Sequence, residues 1–210
     1  MSPSSQNASE TPEPAPRIPR RKRGRERVAA LLNAGAEVFF EKGYEAATMT
    51  EIAVRAGASI GSLYQFFPTK ELLAKALHEA YLADLEAMLD GLGKEAAGQS
   101  PAGMADRLFD GLLAFLAVRP AFGALAERRD IDKDQKRRTG AAMRGQIAGL
   151  LASARPPFPE MRREAMAAVV LQIMKAAVAL NSQEDEHLRR TIHSELRQML
   201  KSHLNGVQVA

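Results

Sequence analysis

Apolar residues recur every three or four positions along most of this chain, and nowhere do they alternate in twos between turn signals. That pattern predicts helices and no sheet. In the first helix Val28, Leu31, Leu32, Gly35, Val38 and Phe39 keep the i, i+3, i+4, i+7 rhythm, and Gly43 stands where a C′ residue would close it. Two short helical runs follow in TMTEIAVRAGASIGSLYQFFPTKELL, residues 48–73. A long helix over 70–89 places Leu73, Leu77, Tyr81, Leu85 and Met88 on one stripe, and the stretch 91–103, with its glycines and Pro101, interrupts it. Further helical patterns cover 104–118, 120–129 and 133–153, after which ARPPFP breaks the chain, because proline disfavours helix at the residue before it. The last two helices span 160–181 and 185–204, the latter with Leu188, Ile192, Leu196 and Met199 or Leu200 on one face. The expected fold is all-α, with about nine helices.

Composition adds bounds. With 210 residues, 46% apolar and 26% charged, the chain has room for one large domain or a small one joined to a larger one. The absence of cysteine excludes a disulfide framework, a thiolate nucleophile and a zinc-thiolate site, and suits a reducing cytoplasm. The N-terminus lacks the apolar stretch of a signal peptide. The longest apolar tract, 165–180, is broken by Gln172 and Lys175 and falls short of the roughly 20 residues of a membrane span, so no membrane partner is expected.

Charge changes the picture more. Residues 17–27, RIPRRKRGRER, hold seven Arg or Lys against one Glu, whereas residues 28–210 balance at 22 basic and 22 acidic groups. The excess positive charge therefore sits in one short tail, for which a polyanion is the natural partner through phosphate neutralisation and counterion release. A solubilising tail or a processing remnant would look the same, so the neighbouring residues have to decide. Residues 1–19, with prolines at 3, 12, 14, 16 and 19, bury too little apolar surface to fold and are expected to be disordered.

The neighbouring residues are the two short helices. Thr48 and Glu51 form a Thr-x-x-Glu capping box that starts the first at Met49, and Ile52, Ala53 and Ala56 give it a small inward side. Gly57 suits the left-handed C′ position and Ser59 can cap the second helix, a connection of helix-turn-helix length. At 100° per residue Ile60, Leu63 and Phe67 project inward, and Gly61, Ser62 and Gln65 project the other way. That outer face is small, polar and uncharged. In a major groove Ser62 and Gln65 could read base edges while Gly61 lets the backbone come close; the alternative is a merely weak surface. If Thr69 caps the next helix, Lys70 lies in its first turn, where the helix dipole disfavours a cation. A DNA phosphate held by the free N–H groups there, by Lys70 and by the Tyr64 hydroxyl would answer that charge, although Tyr64 could equally be a half-buried aromatic with a wet hydroxyl.

Thr48-Met49-Thr50-Glu51-Ile52-Ala53, Ala56-Gly57, Ser59, Gly61, Leu63-Tyr64, Phe67 and Lys70-Glu71-x-Leu73 resemble the DNA-binding region of the TetR/AcrR family of bacterial transcriptional regulators, over about 25–77. The resemblance implies an all-helical homodimer. Its three N-terminal helices bind double-stranded operator DNA, and a larger helical domain binds a small-molecule effector that releases it. It also implies phosphate contacts at Thr48, Thr50, Tyr64 and Lys70, base contacts at Ile60, Gly61, Ser62 and Gln65, and Ser59 beside them at the start of the reading helix. Basic N-terminal extensions in this family often enter the minor groove, which points to Arg20, Arg21, Arg23 and Arg25. Ala58 departs from the commoner Val of the turn and trims core packing slightly. The chain then divides into a tail over 1–19, a helix-turn-helix domain with its basic arm over 20–71, and an effector-binding and dimerisation domain over 72–210.

Beyond about residue 80 the resemblance is architectural. The helices at 160–181 and 185–204 are candidates for a homodimer seam in which two copies form a four-helix bundle, or else they wrap the monomer core. Leu108, Leu112, Phe115, Phe122, Met143 and Met174 could line an apolar effector pocket or simply pack the core. The basic run 128–138, interleaved with three Asp, reads as a solvated helix junction. His78, His187, His193 and His203 lack metal-binding spacing, and no nucleophile elbow, phosphate loop or dinucleotide fingerprint is present, so neither enzyme nor cofactor is expected. The expected function is a ligand-responsive repressor on a palindromic operator; the rival is a helical small-molecule-binding or scaffolding protein with a non-functional helix-turn-helix.

Overall fold

A computed structural model describes residues 22–95, 98–128, 131–181 and 185–206. The tail over 1–19, Arg20 and Arg21 lie outside the described residues. Within them the chain forms α1 (Lys22–Ala46), α2 (Met49–Arg55), α3 (Ile60–Phe66), α4 (Lys70–Glu95), α5 (Pro101–Val118), α6 (Phe122–Ala126), α7 (Lys133–Ala152), α8 (Glu160–Leu180) and α9 (Glu186–Gly206), and no strand.

Two apolar cores form, and α4 is divided between them. The first gathers Leu31, Phe39, Ile52, Leu63 and Phe67 from α1 to α3, then Leu73 and Leu77 from the start of α4. Gly35 makes room for Leu73: a Cβ there would sit 2.6 Å from Leu73 Cδ2, so a larger residue would force that buried side chain to shift. The second core takes Leu85 and Leu89 from the rest of α4 together with the inner faces of α5, α7, α8 and α9. Tyr81 packs against both.

Helix α6 crosses this division. Ala121, beside its start, and Leu125 are fully buried in the first core, although they follow it in sequence by some forty residues. Phe122, one position on from Ala121, belongs to the second.

Four local expectations need correcting. Gly43 does interrupt α1, with φ 76 and ψ 166, a conformation essentially confined to glycine, but three further residues of helical backbone follow it. The fourth helix does not stop at 89; it continues to Glu95 because Met88 and Leu92 pack over Gly111 of α5, where a Cβ would meet them at 3.0 and 3.1 Å. That packing outweighs the roughly 1 kcal/mol that each of Gly91 and Gly93 costs inside a helix. Helix α5 begins at Pro101, with Ser100 as its N-cap, three residues earlier than the apolar pattern suggests. The run 128–138 is not wholly solvated: Arg128 is 5% exposed and its guanidinium lies 4.6 Å from the centre of the Tyr44 ring.

The apolar face of α9 splits. Leu200 and Leu204 are fully buried in the monomer core, whereas Leu188 and Met199 are 49% and 58% exposed, as is much of Val169 on α8. Leu200 and Leu204 thus pack the monomer core, while Leu188, Met199 and Val169 form an apolar strip left uncovered by the chain itself.

Candidate nucleic-acid interface

The helix pair is built by short-range hydrogen bonds. Thr48 Oγ1 accepts from the Glu51 N–H at 3.3 Å and the Thr48 N–H donates to Glu51 Oε2 at 3.1 Å, the reciprocal capping box read from the sequence. At the other end of α2, Ala58 N–H reaches Ala53 O at 2.9 Å and Gly57 N–H reaches Val54 O at 3.1 Å. With Gly57 at φ 59, this is a Schellman motif, and it sets the turn into α3. Ser59 Oγ then accepts from Ser62 N–H at 3.2 Å and starts α3.

Ion pairs hold α2 against α1 from both ends. Glu51 pairs with Lys42, and Arg55 reaches Glu41 through two bonds of 2.7 Å and Glu37 through one of 3.2 Å. Its hydrogen bonds to Glu41 and Glu37 raise the Arg55 pKa, and the same guanidinium lowers that of Glu41. The Lys42 ammonium first, then the Thr48 hydroxyl and N–H, hold the Glu51 carboxyl down at about 2. A carboxyl held below its ordinary value of 4.5 contributes stability that is complete above 4.5 and is lost as the pH falls toward 2. Acidification through that window is therefore expected to speed amide exchange in α2 before the second core loosens, and Glu51→Gln should abolish the step. Exchange that rises uniformly through both cores would contradict this. Thr48→Ala should cost about 1 kcal/mol at neutral pH by thermal unfolding.

On α3, Leu63 and Phe67 are buried and anchor the helix. Gly61, Tyr64 and Gln65 lie exposed on its outer side and Ser62 is half-buried. A Cβ built on Gly61 would meet nothing within 4 Å, so the backbone there is open to close approach. Ile60, grouped with Leu63 and Phe67 as inward-facing, is instead 40% exposed. It is the first residue of α3, and because Cβ atoms tilt toward the N-terminus its side chain leans past the helix end, away from the core. Thr50, Arg23 and Arg25 are exposed along the same N-terminal region. Val54 on α2, 75% exposed, was not singled out by sequence pattern; its neighbours Ile52 and Ala53 drew the inward reading.

Lys70 has a different partner from the one expected. Its ammonium donates to three main-chain carbonyls, Tyr44 O at 2.9 Å, Glu45 O at 3.0 Å and Ala47 O at 3.1 Å, and lies 4.6 Å from the Tyr44 ring centre. Three donors meet three acceptors at the negative end of α1. The unfavourable position of this cation in the first turn of α4 is answered by carbonyl dipoles, so the charge argument for a phosphate at Lys70 lapses. Thr69 does cap α4, accepting from Leu72 N–H at 3.3 Å.

Behind the helix pair, α4, α6, α7 and α8 enclose a cavity of about 330 Å³, closed on one side by Leu112 of α5. Of the six expected lining residues, Leu112, Phe122, Met143 and Met174 line it. Leu108 and Phe115 do not: both are buried in the second core, where Phe115 packs edge-on against Phe122 at 5.1 Å between ring centres. The cavity also has polar wall residues that the apolar pattern missed, among them His78, Gln135, Lys136, Thr139 and Lys175. Burial first, and then the Arg128 and Lys136 charges, push His78 down to about 4. Among the described residues no cluster of three or more His, Cys, Asp or Glu is placed to hold a metal ion, and no helix is long and apolar enough to cross a membrane.

Comparison with known proteins agrees with the helix-turn-helix and with the all-helical fold. Residues 31–77 match the family model described as bacterial regulatory proteins, tetR family, and residues 100–204 match the tetracyclin repressor-like C-terminal domain. The chain is 48% identical over 67 residues to the HTH-type transcriptional activator FasR of Mycolicibacterium smegmatis, covering 32% of this chain and 27% of that protein. It is 35% identical over 78 residues to the HTH-type transcriptional repressor KstR of Rhodococcus jostii, covering 37% of this chain and 34% of that one. These matches thus span about a third or less of the curated relatives. A TetR-family transcriptional regulator from Streptomyces coelicolor superposes with a TM-score of 0.60 at 25% identity, over 86% of this chain and 99% of that one.

Proposed function

The chain belongs to the tetR family of bacterial regulatory proteins, DNA-binding transcriptional regulators rather than enzymes, and from that premise we propose how this member works. It is a cytoplasmic repressor that grips a palindromic operator as a homodimer and lets go when a small, mainly apolar effector fills the cavity behind the reading head. The observation that carries this reading is the two-sidedness of α6. Leu125 is buried in the core that supports α2 and α3, while Phe122, Gly123 and Ala126 line the cavity. A ligand that displaces the cavity side of a five-residue helix must disturb the side that belongs to the reading head.

In the bound state Gly61, Ser62 and Gln65, with Ile60, face base edges; Tyr64, Thr48 and Thr50 meet phosphates; Ser59 starts the reading helix; and Arg20 and Arg21 enter the adjacent minor groove, with Arg23 and Arg25, in the first turns of α1 and not in an extended arm, adding positive charge behind them. In this reading the reading head lies ahead of about residue 72, resting on a core completed by Leu73, Leu77 and Leu125, and the effector and dimer unit follows it. Leu188 and Met199, left exposed on α9, and Val169 on α8 supply the apolar seam for a second copy.

Selection of duplexes from fragmented genomic DNA should recover an inverted repeat, since two reading heads related by a two-fold axis read the same half-site twice. Affinity for it should fall by about 10³-fold or more between 50 and 200 mM salt, the behaviour of a protein making several phosphate contacts. Met199→Glu should give monomers by analytical ultracentrifugation and weaken operator binding with it. Failure to enrich any duplex sequence would remove the proposed function, and enrichment of a single, unrepeated half-site would remove the dimer from it.

A further inference from the structure

The cavity is not uniformly apolar, and its polarity runs in one direction. Helices α4 and α7 lie alongside each other in the same sense. At one end the Lys136 charge is near enough to act on His78, and at the other the Gln146 side-chain amide donates to Asp90 Oδ1 at 2.9 Å. Down the α4 wall the lining goes from His78 to Leu82, Leu85 and Leu89. Down the α7 wall it goes from Gln135 and Lys136 through Thr139 to Met143 and Ile147. Helix α8 runs the opposite way and presents Lys175 and Val178 before Leu171 in the same direction. From His78 to Leu89 the wall extends about 16 Å at helical rise. One end is therefore polar and the other is walled by aliphatic side chains.

The polar end carries excess positive charge. Lys136 spends one N–H on the Arg128 carbonyl at 3.0 Å, leaving two of its three donors. Neither Lys136 nor Lys175 has an ion pair among the described residues. Among the described residues Glu127 is the one acid on the wall, exposed like the two lysines, so the wall carries two cations against one anion, and the charges that act on His78 are both cations, Arg128 and Lys136. His78 itself, buried and beside these cations, stays neutral near pH 7 and offers a ring N–H or nitrogen without adding charge. Gln135 and Thr139 add uncharged hydrogen-bonding groups to the same cavity wall.

We propose that the effector is an anionic amphiphile: a single apolar chain with a carboxylate or phosphate-type head, lying tail-inward along Leu82, Leu85 and Leu89 with its head at Lys136 and Lys175. This rests on the reading of the cavity as the effector site, and it gives the mainly apolar ligand of that reading a charged head and a fixed orientation. The orientation has a consequence for regulation. The head group sits at the Arg128 end, beside α6 and the Tyr44 ring, where the effector domain touches the reading head.

The test uses the full-length chain and four probes of equal chain length, all below their micellar concentrations: dodecanoate, dodecyl phosphate, dodecanol and dodecyltrimethylammonium. Calorimetry without DNA should find at least one of the two anions bound about tenfold or more tighter than dodecanol, the scale of one charge-assisted hydrogen bond. The tighter of the two anions identifies the head group, and the cation should bind weakest. Lys136→Met with Lys175→Met, both on exposed side chains, should lower anion affinity far more than dodecanol affinity and so erase the preference for the anion. Equal binding of dodecanoate, dodecyl phosphate and dodecanol, or preference for the cation, overturns the proposal while leaving an effector cavity in place. Binding of none of the four overturns it as well. Operator release, measured separately by fluorescence anisotropy with the bound anion, distinguishes the two readings: anion binding without release supports the ligand class and overturns the effector role.

Discussion

Gly61→Glu should abolish specific operator binding without lowering the thermal midpoint. Gly61 is exposed on the second position of α3, and a Cβ built there meets nothing within 4 Å. A side chain at this site costs the free protein nothing in packing, and surface changes away from special features stay within about 0.5 kcal/mol. Replacing a helical glycine even lowers the entropy lost on folding. Against DNA the outcome reverses, because the face that Gly61 opens would carry a carboxylate toward phosphates and base-edge acceptors. Like-charge juxtaposition at an interface costs several kcal/mol, which corresponds to about 10²- to 10³-fold in affinity. Gly61→Ala should separate sterics from charge: a slightly higher midpoint, with a much smaller loss of affinity. Anisotropy titrations of the three proteins against one labelled operator give the comparison. Unchanged affinity for Gly61→Glu would mean that α3 does not enter the groove by this face.

What could be read from the sequence followed the range of the interactions involved. The capping box at Thr48 and Glu51, the left-handed Gly57 and the cap at Ser59 are all closed by bonds spanning three to five residues, so their partners stand within the same short stretch of text. The partners of Lys70 are illegible for the opposite reason. The carbonyls that hold it lie 23 to 26 residues upstream, and nothing in the local pattern announces that the end of α1 comes round to the start of α4. Arg128 likewise looked solvated among its charged neighbours until the fold brought the Tyr44 ring beneath it. In the second core, Leu108, Leu112 and Phe115 share one face of α5, and periodicity cannot say that only Leu112 meets the cavity while the other two meet other helices. The polar wall was missed on the same principle: Gln135, Lys136 and Lys175 have the appearance of solvated positions on amphipathic helices, and only the side-by-side run of α4, α7 and α8 turns them toward a common space.

Leu125→Ala is expected to break the response to effector. Leu125 is fully buried among residues of the reading head, so its truncation removes the main apolar contact that ties α6 to that core. The cost in stability should be about 2–5 kcal/mol, read as a shift of the denaturant midpoint. Leu125→Met conserves volume and should cost less than about 1.5 kcal/mol, which guards against confusing uncoupling with unfolding. The second effect concerns coupling. Effector linkage of about 1–3 kcal/mol changes operator affinity by roughly 5- to 150-fold, and it requires an element whose position both sites sense. In α6 the cavity senses Phe122, which packs against Phe115 at 5.1 Å and Tyr81 at 6.3 Å between ring centres, and the reading head senses Leu125. Cutting the Leu125 side should leave ligand affinity for the free protein nearly unchanged, while the ratio of operator affinities with and without saturating ligand falls toward one. Cutting the other side, with Phe122→Ala, should weaken ligand binding directly because the wall itself is altered. The two variants therefore fail in different measurements although they lie three residues apart. If folded Leu125→Ala keeps the full affinity ratio, the signal leaves the cavity by another route, of which the Arg128 and Tyr44 contact is the next to cut.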